Sequence, residues 1–236
     1  MTEPVRIDYW IIPAISPSGT AQPFTPTLEE QARADRYVKA EHGRRYLRAR
    51  HALRRVLSIE TGIPVHDLDL TTGIDGKPEL ADPSQPAHFN ISHSGDAILI
   101  GVCHQARLAL EIELIAPIEK NLVERFLSPA EQAALARVPE AQWLRGFYRC
   151  WTRKEAFVKG LGRGLKLPLD EFDVSIGDMP QLLHASFADP ADWSLCSPEV
   201  PPSYEAAIAV EATGRRLELR LRPAGEAEPT VPMPSA

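Results

Sequence analysis

Two carboxylates lie two positions apart in an otherwise apolar segment, Leu110-Glu111-Ile112-Glu113-Leu114. The alternation predicts a β-strand, in which Glu111 and Glu113 extend from the same face and repel each other. A divalent cation relieves such repulsion, and Mg²⁺ binds one or two carboxylates together with substrate phosphate oxygens and water. The segment therefore indicates a magnesium site, with a strand face turned to solvent as the simpler alternative.

A second group of polar side chains shares one face of a predicted helix. Thr152, Glu155 and Lys159 follow one another at spacings of three and four, offset from an apolar stripe that contains Trp151. A carboxylate and an amine then point the same way, as in a catalytic pair. The alternative is an exposed Glu–Lys pair, which contributes roughly a few tenths of a kcal/mol to helix stability.

The segment from Phe89 to Gly95 places an amide, two hydroxyls and an imidazole around a strand end and a turn. Asn90, Ser92 and His93 supply short hydrogen-bonding groups that suit phosphate oxygens. Alternatively, these side chains close the turn that follows the strand.

Two basic residues add positive charge. Arg45 belongs to an arginine-rich helix, and Lys77 lies in the turn Asp75-Gly76-Lys77-Pro78. Arginine suits bidentate phosphate contacts, although most such residues are simply solvated. The glycine-rich segment 160–164 follows a helix instead of opening one, so we interpret it as a helix-ending loop and not as a nucleotide-binding fingerprint.

The elements that position these residues come in two similar series. The pairs Thr27–Glu30 and Ser128–Glu131 are capping boxes that predict helix starts. Apolar stripes predict long helices from 43 to about 60 and from about 141 to 159. Strands are predicted at residues 5–11, 67–71, 88–92, 97–103, 107–114, 172–176, 193–196, 204–210 and 216–221, the second to the fifth of them forming a meander.

Composition narrows the class of protein. The chain has 236 residues, 44% of them hydrophobic, with a formal net charge of −6 and three scattered cysteines. These values indicate a globular protein in a reducing, cytoplasmic setting, without a signal peptide or a transmembrane segment. The negative charge argues against nucleic acid and anionic membranes as partners, while a local basic cluster can still hold a small polyphosphate.

Together, four motifs resemble those of the Sfp-type 4′-phosphopantetheinyl transferases. In chain order they are Gly76-Lys77-Pro78, Phe89-Asn90-Ile91-Ser92-His93-Ser94, the strand Glu111-Ile112-Glu113, and Trp151-Thr152-Arg153-Lys154-Glu155-Ala156-Phe157-Val158-Lys159-Gly160. The resemblance extends from about residue 45 to 174, and the last two motifs in succession are more specific than any single motif.

The resemblance implies an α+β fold, the 4′-phosphopantetheinyl transferase fold, with two similar halves related by pseudo-twofold symmetry and coenzyme A between them. The halves would be residues 1–106 and 107–222, followed by a tail, 223–236, whose Pro-, Glu- and Ala-rich composition predicts disorder. The resemblance also assigns Glu111, Glu113 and Glu155 to Mg²⁺ binding, and Glu155 and Lys159 to catalysis. The residues assigned to coenzyme A are Arg45, Gly76, Lys77, Pro78, Asn90, Ser92, His93 and Lys159.

Two departures from the family pattern affect the metal site. Glu111 stands where the family usually has aspartate, and Ala109-Leu110 stands where Gly-Val or Gly-Ile is common. Since Mg²⁺ demands near-octahedral geometry, the additional methylene of Glu111 must be absorbed by the strand, by a rotamer or by a water molecule. Weaker metal binding, a changed metal preference or loss of activity are the possible consequences.

The resemblance implies transfer of the phosphopantetheine arm of coenzyme A to a serine of an apo acyl or peptidyl carrier protein, with release of adenosine 3′,5′-bisphosphate. It also favours a monomer. One alternative is a catalytically impaired coenzyme A-binding scaffold of a synthase complex, and another is a different Mg²⁺-dependent transferase or pyrophosphatase. An acidic carrier would dock near the cleft, with the stretch from Ile118 to Phe126, which includes Arg125, as the candidate surface.

Overall fold

The fold is that of a computed structural model, which describes residues 3–14, 25–73, 77–85, 87–162 and 167–227. Within these ranges the chain is of the α+β class, as the sequence predicts. The strands are β1 (Val5–Pro13), β2 (Leu70–Thr72), β3 (Pro78–Leu80), β4 (His88–Ser94), β5 (Ala97–Cys103), β6 (Leu108–Leu114), β7 (Phe172–Val174), β8 (Leu182–Ala185), β9 (Trp193–Cys196), β10 (Tyr204–Glu211) and β11 (Leu217–Leu221). The helices are α1 (Leu28–Asp35), α2 (Ala40–Thr61), α3 (Asn121–Phe126), α4 (Pro129–Leu135), α5 (Glu140–Leu161) and α6 (Ala224–Ala227).

Two main sheets form the centre of the molecule. The first has the strand order β11-β1-β5-β4, with β11 parallel to β1 and the other pairs antiparallel. The second is antiparallel with the order β6-β10-β9, and β2–β3 and β7–β8 are separate two-stranded pairs. The predicted four-stranded meander is wrong at both ends, because β2 pairs with β3 apart from the main sheets and β6 pairs with β10 in the second sheet; only the β4–β5 pairing is confirmed.

Apolar side chains extend from both faces of each sheet, so the two sheets pack against each other and each also packs against one of the two long helices. In β1, Ile7 packs into a core shared with the second sheet, whereas Trp10 packs into a core shared with α2. In β10, Ile208 faces the first sheet and Ala207 joins the core around α5. The layers are therefore α2, first sheet, second sheet and α5, and apolar burial between them, at about 25 cal/mol per Å², drives their association.

The two halves of the chain repeat the same order of elements. The series β1, α1, α2, the β2–β3 pair, β4 and β5 corresponds to β6, α4, α5, the β7–β8 pair, β9 and β10. The pairing order β1-β5-β4 corresponds to β6-β10-β9, and α2 and α5 each have 22 residues. The predicted repetition of elements is confirmed, whereas the boundary between the halves and their twofold relation stay predictions.

Local signals fix the helix ends as the sequence predicts. Both capping boxes are formed, with the hydroxyls of Thr27 and Ser128 accepting from the backbone N–H of Glu30 and Glu131. Each such cap contributes about 1 kcal/mol. At the C-terminal end of α5, the helix stops at Gly162, whose φ of 67° favours glycine.

Three short elements differ from expectation. Strands β3 and β8 have only three and four residues, too few for alternation to mark them. Helix α6 lies in the tail predicted to be disordered, but Ala227 is 3% exposed and packs into the core that contains Trp10, so the tail is ordered as far as this turn. In the described part of the chain no helix is long and apolar enough to cross a membrane.

Candidate active site

A cleft of about 970 Å³ opens between the N-terminal elements and the C-terminal end of α5. Helices α1 and α2, the β2–β3 pair and β4 form one wall, and the last two turns of α5 contribute to the other. Six residues predicted from the sequence to be functional line it: Lys77, Pro78, Asn90, His93, Glu155 and Lys159. The fold thus brings together three of the four motifs at one cavity.

The two carboxylates of β6 lie next to this cleft, each held by a hydroxyl from β4. Glu111 is 8% exposed and accepts a hydrogen bond from Ser92 Oγ at 2.8 Å, and it also pairs with the ammonium of Lys159. Glu113 accepts from Ser94 Oγ at 2.6 Å. The alternative of a solvent-facing strand side is therefore wrong for Glu111.

Glu155 differs from the β6 carboxylates because its Oε1 is buried without a hydrogen-bond partner among the described residues. The residue is 7% exposed. Burial, followed by repulsion from Glu111, raises the pKa of Glu155 to about 7. Since Lys159 pairs with Glu111 and Glu155 is buried, the alternative of an exposed Glu–Lys helical pair is also wrong.

We asked whether these carboxylates suit a metal ion. In the ranges that the structure describes, no three acidic, histidine or cysteine side chains are grouped closely enough to hold one. Even so, burial and then repulsion from Glu111 raise the pKa of both Glu113 and Glu155, and the free Oε1 of Glu155 is a hard oxygen donor. The donor chemistry therefore fits a hard cation, with Lys159 beside Glu111 as the positive charge that the protein itself supplies.

Asn90 and Ser92, which the sequence predicts to contact phosphate, make hydrogen bonds within the protein. Asn90 Oδ1 accepts from the backbone N–H of Leu110 at 3.0 Å, and Ser92 Oγ accepts from that of Ile112 at 3.5 Å. Both side chains are buried. They join β4 to β6, which lie in different sheets, and so position the carboxylate strand; a direct role with coenzyme A stays a prediction.

The predicted cationic residues have different surroundings. Arg45 does not line the cleft and is held by Glu41 at 2.8 Å and Asp96 at 3.0 Å. Lys77 lines the cleft and donates to the backbone carbonyl of Lys159, linking the two walls. Removal from water, only partly offset by Glu111, lowers the pKa of His93. Gly76 lies outside the described residues.

Three further cations of the cleft were missed by the sequence analysis. Arg33, Arg50 and Arg54 line the wall formed by α1 and α2, as does Glu30. Arg50 donates to Glu30 at 2.9 Å, and Arg54, which is 7% exposed, donates to Glu30 and to the carbonyl of Leu68. The arginine-rich pattern of α2 was visible, but only the packing of α1 against α2 shows which arginines face the cavity.

The chain is similar to known proteins over nearly its whole length. Residues 107–209 match the 4′-phosphopantetheinyl transferase superfamily, and residues 24–105 match the 4′-phosphopantetheinyl transferase N-terminal model. The chain is 31% identical over 216 residues to the 4′-phosphopantetheinyl transferase HetI of Nostoc sp. (strain PCC 7120), covering 89% of each chain. It is also 32% identical to 4′-phosphopantetheinyl transferase Sfp of Bacillus subtilis (strain 168), over 76% of this chain and 80% of Sfp.

Proposed function

The chain belongs to the 4′-phosphopantetheinyl transferase family, and we propose that it moves the phosphopantetheine arm of coenzyme A onto a serine of an apo acyl or peptidyl carrier protein. The observation that carries this proposal is the free carboxylate oxygen of Glu155 at a cleft with cationic walls. A base beside a polyphosphate site is what attack by a hydroxyl on phosphorus requires.

The cleft has the size and charge for the nucleotide end of coenzyme A. Its volume of about 970 Å³ is at the upper end of ligand pockets. Lys77, His93 and Lys159 face it from the walls, and Arg33 and Arg50 add guanidinium groups on α1 and α2. The lysines and arginines would offset the charge of the pyrophosphate and of the ribose phosphate, and His93, whose lowered pKa favours the neutral imidazole, would donate a hydrogen bond to a phosphate oxygen.

Glu155 is the residue proposed to take the proton of the carrier serine. Its pKa of about 7 means that near neutral pH it is ionised often enough to act and basic enough to accept a proton. The serine oxygen then bonds to the pantetheine-side phosphorus while the bond from that phosphorus to the bridging oxygen breaks. Adenosine 3′,5′-bisphosphate leaves with the bridging oxygen, and Lys159 stabilises the charge on the phosphate oxygens.

We further propose that Glu111, Glu113 and Glu155 would hold Mg²⁺, which when bound neutralises charge on the pyrophosphate. The support is the mutual repulsion of these carboxylates and the free Oε1 of Glu155. The longer side chain at position 111 reaches both Ser92 and Lys159, so the glutamate is accommodated by named contacts within the site.

The carrier is proposed to dock along α3 and the residues before it. Arg125 is exposed, and its guanidinium lies over the ring of Phe126, 5.2 Å from the ring centroid. A carrier with an acidic helix would meet this basic group beside the partly buried Ile118 and Leu122. We expect the enzyme to act as a cytoplasmic monomer with residues 1–106 and 107–222 as its two halves.

The test is to incubate the protein with coenzyme A, Mg²⁺ and a panel of apo carriers, and to weigh the carriers by intact mass spectrometry. The expected gain is one phosphopantetheine on the serine of at least one carrier. Glu155→Gln should lower the transfer rate by roughly 10²- to 10⁴-fold with an unchanged circular dichroism spectrum. Coenzyme A binding in calorimetry without a mass gain on any carrier would contradict the proposal and support a scaffold.

A further inference from the structure

Strands β4 and β6 belong to different sheets but are joined by a row of side chains. Ser94 Oγ accepts from the backbone N–H of Leu114 at 3.1 Å, continuing the contacts that Asn90 and Ser92 make to β6. These three side chains alternate along β4 and so project from the same face toward β6. The row therefore fixes the register of β6, and with it the carboxylates, against the N-terminal half.

Glu113 is held from both sides of the site. From β4, Ser94 Oγ donates to Glu113 Oε2 at 2.6 Å. Burial raises the pKa of Glu113, and hydrogen bonding from Ser94 and from the side chain of Trp151 on α5, whose only donor is the indole N–H, acts in the opposite direction. Trp151 is itself fixed, since its ring packs against Phe126 with 4.6 Å between centroids.

The three carboxylates are therefore not equivalent. Glu113 has a hydroxyl and an indole donor, Glu111 has the hydroxyl of Ser92 and the ammonium of Lys159, and Glu155 Oε1 has no partner in the described ranges. Two neutral donors fix the orientation of the Glu113 carboxylate without neutralising its negative charge. Such a carboxylate suits a metal ligand, which must keep both its position and its charge.

We propose that Ser94 and Trp151 are positioning residues that hold Glu113 in the orientation its role requires. The proposal rests on the assignment of Glu113 to the metal in the proposed function. Removing a hydrogen-bond donor to a metal-binding carboxylate typically lowers metal affinity or activity by roughly 10- to 100-fold. The inference concerns neighbours of Glu113 and gives neither residue a direct contact with substrate.

The variants Ser94→Ala and Trp151→Phe each remove one donor, and Phe keeps an aromatic ring against Phe126. Ser94→Thr keeps the hydroxyl. Ser84→Ala is the matched control, because Ser84 Oγ donates to Asp82 Oδ1 at 2.7 Å on an exposed part of the chain. Binding of Mn²⁺ in the presence of coenzyme A is measured by electron paramagnetic resonance, next to coenzyme A affinity by calorimetry and the melting temperature.

We expect Ser94→Ala and Trp151→Phe to weaken Mn²⁺ binding at least about tenfold, with Ser94→Thr and Ser84→Ala close to the wild type. In a Glu113→Gln background, Ser94→Ala should cause no further loss, because its effect passes through Glu113. Unchanged Mn²⁺ affinity in both single variants, or an equal loss in the Glu113→Gln background, would overturn the inference. Since metal affinity is measured without turnover, a wild type that binds Mn²⁺ but transfers nothing would overturn the proposed function alone.

Discussion

Lys154 donates hydrogen bonds to both carboxylate oxygens of Glu131, at 2.7 and 2.6 Å, one position before Glu155 along α5. Both residues are almost fully buried, and Lys154 also donates to the carbonyl of Phe172 at 2.6 Å. Glu131 in turn completes the capping box of α4. This pair therefore joins α4, α5 and β7 behind the site, while its neighbour Glu155 faces the cleft.

The N-terminal half contains an equivalent pair, Glu30 with Arg54. Glu30, like Glu131, is the third residue of a capped helix, and Arg54, like Lys154, is the fifteenth residue of a 22-residue helix. The difference is that Glu30 also accepts from Arg50 and lies at the cleft. The Glu131–Lys154 pair is therefore internal to the C-terminal half, whereas the equivalent Glu30–Arg54 pair of the N-terminal half borders the cleft.

Lys154→Met should destabilise the fold more than Arg54→Met. Removing Lys154 leaves the charge of Glu131 buried without its cation, which costs about 3 to 5 kcal/mol. Glu30 keeps Arg50 after the loss of Arg54, so we expect a smaller cost of about 1 to 2 kcal/mol there. Urea denaturation measures both, and Lys154→Met combined with Glu131→Gln should recover part of the loss. A larger loss in Arg54→Met would contradict the comparison.

The rate of transfer should depend on the ionisation of Glu155. Because a base must be deprotonated to act, and the pKa of Glu155 is about 7, the rate should rise through neutral pH and level off by about pH 8. The measurement is kcat/KM for coenzyme A between about pH 5.5 and 9, because this parameter reports the ionisation of the enzyme before coenzyme A binds. A profile without an ionisation near pH 7 would exclude Glu155 as the base.

The same pKa predicts an effect on stability with the opposite slope. Between the ordinary value of 4.5 and about 7, folded Glu155 holds a proton that the unfolded chain has lost, so stability falls as the pH rises through this window. Glu155→Gln removes the buried charge. The free energy of unfolding of this variant should exceed that of the wild type by on the order of 2 kcal/mol at pH 8.5, and the two should be equally stable below pH 4.5. Denaturation in the presence of a chelator tests this, and equal stability at pH 8.5 would contradict it.

Lys159→Met should separate two functions of the lysine. Without the ammonium beside Glu111, coenzyme A should bind roughly tenfold more weakly, while Mn²⁺ alone should bind more tightly because no cation competes for the carboxylate. Calorimetry with each ligand alone measures both changes. If Mn²⁺ binding also weakens, Lys159 supports the metal site instead of competing with it.

The sequence predicts the elements of this site better than its contacts. Local patterns were sufficient for both capping boxes and for the strand that carries Glu111 and Glu113. They were not sufficient for Ser94 and Trp151, because the roles of these side chains depend on which strand and helix lie beside β6. The pairing of β11 with β1 joins residues at opposite ends of the described chain and leaves no local pattern.

Gly160 is required at the end of α5 because Trp193 occupies the space beside it. A Cβ at position 160 would lie 2.5 Å from a ring atom of Trp193, well inside van der Waals contact. Gly160→Ala must therefore displace the ring or shift the last turn of α5, which carries Lys159, and we expect a loss of about 1 to 3 kcal/mol in stability together with weaker coenzyme A binding.

Gly177→Ala is the matched control, since a Cβ there meets no atom within 4 Å. It should leave both the melting temperature and coenzyme A affinity unchanged. Trp193→Phe in the Gly160→Ala background should restore part of the loss, because the smaller ring vacates the space that the new methyl needs. A Gly160→Ala variant as stable as Gly177→Ala would show that α5 absorbs the methyl group without moving the ring, and that Lys159 does not depend on this contact.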